Sequence, residues 1–443
     1  MLPPGPSQPV TAEHIRLDPL GFLESQRAEF GPVSTHLTEH GQRVFLISSP
    51  DIAREVLLAP EERYTKQGTP DDSMLTPLLG EGLLTSHGDS WRAQREYTNP
   101  MFQRRRVEQF GGAIQRQAAQ LVADWTSRDE KQPIRVDHDL TGLTLQVVVT
   151  AILGGELGDI GEGFGRAVDA VNAAVSHGDP RDTPDTDVVR ADFASFVTAR
   201  QTIDRIVRLL IRARRFVGTD DSGLPDLLGV LLEHRTPAGE ALSDRELRDQ
   251  VMTMVMAGHE TTAKALTWSL YLLSQHPSIA ADVRIEVNRV CGDSPPTVAQ
   301  LPELAMTRAV INEAMRLYPP IWVISRRAVS DDQLSDFDVP ADSLVCVSPW
   351  LIHREADLWP DPTEFKPRRF VDIESPDPFT FLPFGGGPRL CIGRGFALME
   401  AQLVLATLCR DVDFELWPGH EVLPEALVTL KPAEGMPMRV RRP

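Results

Sequence analysis

The chain has 443 residues, and 63 acidic against 45 basic side chains leave it a formal charge of −18. That balance disfavours nucleic acid as the main partner, because neutralising phosphates needs a positive face. Apolar residues at 42% and charged residues at 24% are ordinary for a globular protein, and no apolar run reaches membrane-spanning length.

The N-terminus, MLPPGPSQPVTAEHIRLDP, lacks the basic flank and apolar core of a signal peptide. The four cysteines, Cys291, Cys346, Cys391 and Cys409, show no CxxC pairing. Both features lead us to expect a cytoplasmic protein without a membrane anchor. A strand is predicted at 43–48, and most of 90–320 reads as helix. LTGLTLQVVVTAILG, residues 140–154, is apolar nearly all round and predicts a buried helix, with its valines leaving a strand open. GDIGEGFGRAV, 158–168, is spaced GxGxG rather than GxGxxG and follows no clear strand, so it reads as a loop.

Residues 198–216 form an arginine-studded amphipathic pattern, and 244–276 a longer apolar one. As a helix the latter would span about 50 Å, enough to run through a domain centre. Further strands are predicted around 345–348 and in the alternating ALVTLKP and PMRVRR near the C-terminus. Between them, 349–391 is rich in Pro, Asp and aromatics and reads as ordered coil. No linker or repeat interrupts the pattern. We expect one domain over 1–443, α+β and predominantly α-helical. Its helix-rich core falls at about 90–320 and 392–412, with β-rich parts at about 30–60, 321–350 and 413–443.

FGGGPRLCIG, residues 384–393, sets Cys391 among four glycines just before GRGFALMEAQLVLATL, a strong helix pattern. A zinc site would need further Cys or His nearby, and none cluster there. A nucleophile would need a histidine base, which sequence alone leaves open. A thiolate at a helix N-terminus, with glycines letting backbone approach a planar group, also fits axial ligation of haem iron.

The stretch resembles the cysteine loop of the cytochrome P450 family, FxxGxRxCxG, with Phe384, Gly387, Arg389, Cys391 and Gly393 at the fixed positions. INEAMRLYPP holds Glu313 and Arg316 at i,i+3. Taken alone these make an exposed helix pair worth a few tenths of a kcal/mol. In the family such a pair is buried and joined by an arginine, here Arg369 of KPRRF. VMAGHETTAKAL is not HExxH, since Ala263 stands where the second histidine would be. It is similar to the family's AGxETT, with Ala257, Gly258, Glu260, Thr261 and Thr262 in place. SHGDSWRAQRE resembles its WxxxR element through Trp91 and Arg95.

The resemblance implies the cytochrome P450 fold, with haem b between the long central helix and the cysteine loop. It implies Cys391 as the iron ligand and Phe384 beside it. Trp91, Arg95, Arg326 and Arg389 would bind the haem propionates, with Lys66 and His87 at assisting positions and Ala257 against the haem. Glu260 and Thr261 would relay protons to dioxygen, while His259 and Lys264 face away. Met254, Val255, Ile321, Trp322, Val323 and Val428 would line a substrate pocket, together with parts of 67–85 and 180–215. The implied activity is oxygenation of a lipophilic small molecule by a monomer. Electrons would come from NAD(P)H through an external ferredoxin and its reductase, docking on Arg92, Arg104, Arg105, Arg106 and Arg394. A haem-thiolate sensor, a peroxygenase and an isomerase-like haem enzyme are the alternatives; the intact Glu260–Thr261 pair argues against them. One departure is SDFDVPADS, which lacks the glycine pair usual before the family's IP element and puts a turn in doubt.

Overall fold

The computed structural model describes residues 1–153, 167, 187–217, 226–236, 238–371 and 377–442. The glycine-rich stretch 158–168, apart from residue 167, and the segment 180–186 lie outside them. The chain divides into two compact units. One gathers Met1–Ser73, Asn312–Cys391 and Pro424–Lys431; the other gathers Met74–Ile311, Ile392–Leu423 and Pro432–Pro443.

The first unit is built on a five-stranded sheet in the order Val33–Leu37, Arg43–Ile47, Leu344–Val347, Ile324–Ala328, Tyr64–Thr65. Only Arg43–Ile47 and Leu344–Val347 pair in parallel. Their β-branched and aromatic residues suit a pleated surface covered on both faces: Phe45, Ile47, Val345 and Val347 have no exposure at all. The helix Pro50–Leu58 begins with proline at its first position, where the missing N–H costs nothing. It lays Ile52, Ala53, Val56 and Leu57 into the same core.

The turn that lacked its glycines forms nonetheless. Asp332–Leu334 and Phe337–Val339 pair as a hairpin with Ser335 at φ 51°, and Asp342 takes φ 63°. Left-handed conformation costs a residue with a Cβ about 1–2 kcal/mol, so this corner is held against mild strain. The predicted coil at 349–391 is mostly that, broken by a short helix Pro349–Ile352 and tight turns at Pro367–Phe370 and Gly387–Arg389.

The second unit is helical. Its longest helix, Asp244–Gln275, has 32 residues and opens with a capping box in which Ser243 and Glu246 satisfy each other's backbone N–H. It packs on Val136–Leu153, which settles 140–153 as helix despite its valines; burial overrides the weak propensity. The two backbones come close because Gly258 faces Val148, where a Cβ would sit 2.9 Å from a valine methyl. Thr144 Oγ1 donates across the same contact to the His259 carbonyl at 2.9 Å. The arginine-studded pattern lies within the helix Asp187–Val217. A sheet of Ile134–Arg135, Pro437–Arg441 and Asp413–Leu416 completes the unit. Among the described residues no helix is long and apolar enough to cross a membrane.

Candidate functional site

Cys391 is the exposed one of the four cysteines, and none of them is in a disulfide. Its position follows from the turn before it. Gly385 and Gly387 take φ of +72° and +70°, which side chains with a Cβ rarely adopt. A Cβ on Gly387 would also lie 2.0 Å from the Leu57 carbonyl oxygen. These two glycines therefore serve the turn and its packing on helix Pro50–Leu58. That gives them a role within the fold in addition to the expected approach to a flat ligand. The Cys391 N–H then donates to the Phe384 carbonyl at 3.0 Å, closing the loop.

Three cations gather in the same unit. Arg326 is 6% exposed, and among the described residues its guanidinium makes one hydrogen bond, to the Ser325 carbonyl. Burial, and then the neighbouring Arg389, lower its pKa to about 10. Lys66 is lowered to about 8 by burial, opposed by Asp71. Arg389, expected to bind a propionate, pairs with Glu61 at 2.8 Å. Burial raises the pKa of the Asp71 carboxyl, which weakens it as a counter-charge. A buried guanidinium with most donors unused is costly unless an anion meets it. This donor set fits a ligand bearing carboxylates, as haem does with its propionates.

Glu313, Arg316 and Arg369 come together as a triad. Arg316 grips Glu313 through two hydrogen bonds of 2.7 and 2.8 Å, both side chains fully buried. Arg369 Nε donates to the same carboxylate at 3.0 Å. The remaining Arg316 donors reach the carbonyls of His353, Pro362 and Glu364 at 2.7, 2.7 and 3.1 Å. One guanidinium thus fixes three points of the coil that ends at Cys391. His353 adds a fourth, its Nε2 accepting the Leu382 N–H at 2.8 Å.

In the second unit, the long helix is buried along most of its length but opens at Ala257. Glu260 and Thr261 are half-buried on the next turn. Thr261 Oγ1 donates to the Ala257 carbonyl at 3.0 Å, which leaves its lone pairs available as acceptors. His259 turns the other way, fully buried, its Nδ1 2.6 Å from the Val255 carbonyl. Trp91 and Arg95 lie one turn apart on Gly88–Thr98, with His87 at its N-cap. Arg92 and Arg104 pair with Asp89 and Glu108 at 2.5 and 2.6 Å, so of the arginines suggested for docking these two are already neutralised.

The pocket residues fall into two sets. Met254 and Val255 belong to the helical core of the second unit. In the first unit Trp322 packs on the cluster around Leu20 and Trp350, and its indole N–H donates to the Leu427 carbonyl at 2.7 Å. That bond fixes the turn bearing Val428, while Ile321 and Val323 flank Trp322 half-buried.

Sequence reasoning missed Glu61, His353 and Glu400. Glu61 is 328 positions from its arginine, so no spacing could reveal it. Glu400 carried a signal, a lone acid in the apolar run FALMEAQLVLATL.

The cytochrome P450 family model matches residues 3–436. The chain is a member of the cytochrome P450 family. Cyclooctatin synthase of Streptomyces melanosporofaciens is 32% identical, over 93% of this chain and 89% of that protein. Cyclooctat-9-en-7-ol 5-monooxygenase of the same organism is 30% identical over 90% and 86%. The crystal structure of cytochrome P450DA heme domain superposes with a TM-score of 0.88 at 27% identity, covering 100% of this chain and 97% of that one. Membership makes the protein a haem-thiolate monooxygenase that uses dioxygen.

Two predictions follow from the triad and His353. Glu313→Gln leaves Arg316 and Arg369 buried without their anion and should cost about 3–5 kcal/mol in urea unfolding; an unchanged midpoint would contradict the account. Burial, then the nearby Arg316 and Arg354, hold His353 at a pKa of about 3 against an ordinary 6.5. The folded state therefore binds fewer protons than the unfolded one between those values. Stability from neutral His353 is complete above pH 6.5 and lost as pH falls toward 3. His353→Gln, whose amide oxygen can accept from Leu382, should show a shallower acid loss than the wild type.

Proposed function

We propose that this P450 inserts one oxygen atom of dioxygen into a lipophilic small molecule of terpenoid kind, as a cytoplasmic monomer acting as one domain. The observation that carries the reading is Cys391, exposed at the end of a turn anchored by backbone and by a buried triad. When bound, haem would supply redox-active iron for the activation of dioxygen, and a cysteine thiolate ligand would favour cleavage of the O–O bond.

The chain's own residues do the rest. Cys391 acts as the thiolate ligand with Phe384 beside it. Arg326, Lys66 and Arg389 neutralise the propionates, joined by Trp91, Arg95 and His87. Ala257 leaves room on the helix. Glu260 takes protons from water and Thr261 passes them on, its hydroxyl accepting one as it gives up its own. Met254, Val255, Ile321, Trp322, Val323 and Val428 offer an apolar lining, which excludes water and selects lipophiles.

The terpenoid choice rests on the two Streptomyces relatives, one of which is named for oxygenating a cyclic alkenol. Polyketides and fatty acyl chains are the competing lipophiles. Electrons come from a ferredoxin and its NAD(P)H reductase, docking on a basic face that includes Arg105, Arg106 and Arg394.

One assay tests this reading. Cyclic terpene alcohols should shift the haem spin state and be hydroxylated in the presence of ferredoxin, reductase and NADPH. Arg105→Glu with Arg106→Glu should slow that turnover while sparing peroxide-driven turnover. Binding of acyl chains but no terpenoid would overturn the substrate class, and equal loss in both assays would overturn the docking face.

A further inference from the structure

Two adjacent acids open the helix Pro70–Leu79, which follows the edge strand Tyr64–Thr65 of the first unit's sheet. Asp72 is spent on the local turn, where its carboxylate accepts the Gly68 N–H at 2.9 Å. Asp71 is half-buried, and among the described residues its carboxyl makes no hydrogen bond and no ion pair. Burial raises its pKa, with Lys66 and then Arg326 acting the other way.

Asp71, Lys66 and Cys346 have one property in common. Each keeps part of its surface accessible, yet burial is the largest influence on its titration. Surface that is reachable and still deep belongs to an internal recess. Cys346 Sγ lies 3.9 Å from Ser325 Oγ across the strands Ile324–Ala328 and Leu344–Val347. Its thiol is pushed up to about 12 by burial and also feels Asp71, so it stays neutral. Asp71 therefore stands in reach of two cations and of a neutral serine–cysteine pair, with its own oxygens unused.

An ionised carboxylate without hydrogen bonds in such a place is costly. With Lys66 and Arg326 engaged by propionates, Asp71 loses its counter-charges and keeps a proton. A carboxylic acid both donates and accepts, and so does an alcohol hydroxyl, so each satisfies the other. A hydrocarbon would leave Asp71 unpartnered, which costs more than the bond itself is worth. A fatty carboxylate would bring another anion to cations already matched. A cationic head would meet Lys66 and Arg326, and like charges at close range select against it.

We propose that Asp71 is a specificity-determining residue that takes a hydroxyl of the substrate, which makes the preferred substrate a lipophilic alcohol rather than a hydrocarbon, a fatty acid or an amine. The inference deepens the proposed oxygenation and rests on its placing of the propionates at Lys66 and Arg326. The reaction that supplies such a substrate is one that installs a hydroxyl, so this enzyme acts on a carbon skeleton already oxygenated.

The test holds the tail constant and varies the head group. Calorimetry with the haem-loaded protein measures binding of dodecane, dodecanol, dodecanoate and dodecyltrimethylammonium, and cedrol against cedrane gives a cyclic terpenoid pair. The wild type should bind dodecanol about 10-fold more tightly than dodecane, and more tightly than either charged probe. Cedrol should lead cedrane in the same sense. Asp71→Leu should bind alcohol and hydrocarbon equally, whereas Asp71→Asn, whose amide also donates and accepts, should keep a preference for the alcohol. Equal wild-type binding of dodecanol and dodecane would overturn the proposal, as would a charged probe bound most tightly. So would an alcohol preference that survives in Asp71→Leu. These losses alongside thiolate-type absorption of the reduced carbon monoxide complex would leave the oxygenase reading standing. A preference for dodecanol without that absorption would instead overturn the haem reading and support the head-group assignment alone.

Discussion

The reach of one guanidinium sets the conditions for everything around Cys391. The coil at 349–391 has little helix or strand to hold it, so its carbonyls must find donors elsewhere. Arg316 supplies them to residues 353, 362 and 364, and is itself held by both oxygens of Glu313. Arg369 shares that carboxylate, and Trp359 lies under the Arg316 guanidinium at 5.4 Å. A buried ion pair of this kind is weak support for stability as such, because desolvation offsets most of its attraction. Its use is specificity. With a planar donor fork engaged on five bonds, the coil has one arrangement, and a cysteine can be presented on it repeatably.

The helical unit solves a different problem. A helix about 48 Å long gains its stability by burial on nearly every side. Chemistry needs that burial interrupted, and the interruption is local: a small residue at Ala257, a close approach at Gly258, and hydroxyls at Thr261 and Thr262 turned back onto the preceding carbonyls. Side chains that bond their own helix in this way weaken it slightly. The flanking helix Val136–Leu153 compensates by packing tightly against the weakened turn and by the Thr144 bond to His259. Burial and opening are thus placed one turn apart on a single element.

Much of this was legible in the sequence. The long apolar pattern at 244–276 gave its helix to within a residue, because a period sustained over so many turns has few competing readings. Motif spacing brought Glu313, Arg316 and Arg369 together on paper, but their burial depends on what covers them, which spacing does not carry. The glycines before Cys391 illustrate the limit. Sequence reading related them to a planar ligand and gave no sign that Gly387 is also required by the Leu57 carbonyl, 330 positions away in the chain. The Arg389–Glu61 pair and the bond from Leu382 to His353 are long-range or irregular in the same way. Ser335 and Asp342 show the converse: a turn can form without its glycine when the strands on either side outweigh the strain.

The central claim is that Cys391 reaches haem iron as a thiolate. Its most direct test is the absorption spectrum of the purified, dithionite-reduced protein under carbon monoxide. The account predicts a strongly red-shifted Soret band in the wild type, lost in Cys391→His. A wild-type band of the kind given by histidine- or thiol-ligated haem, or a folded protein that takes up no haem, would contradict it.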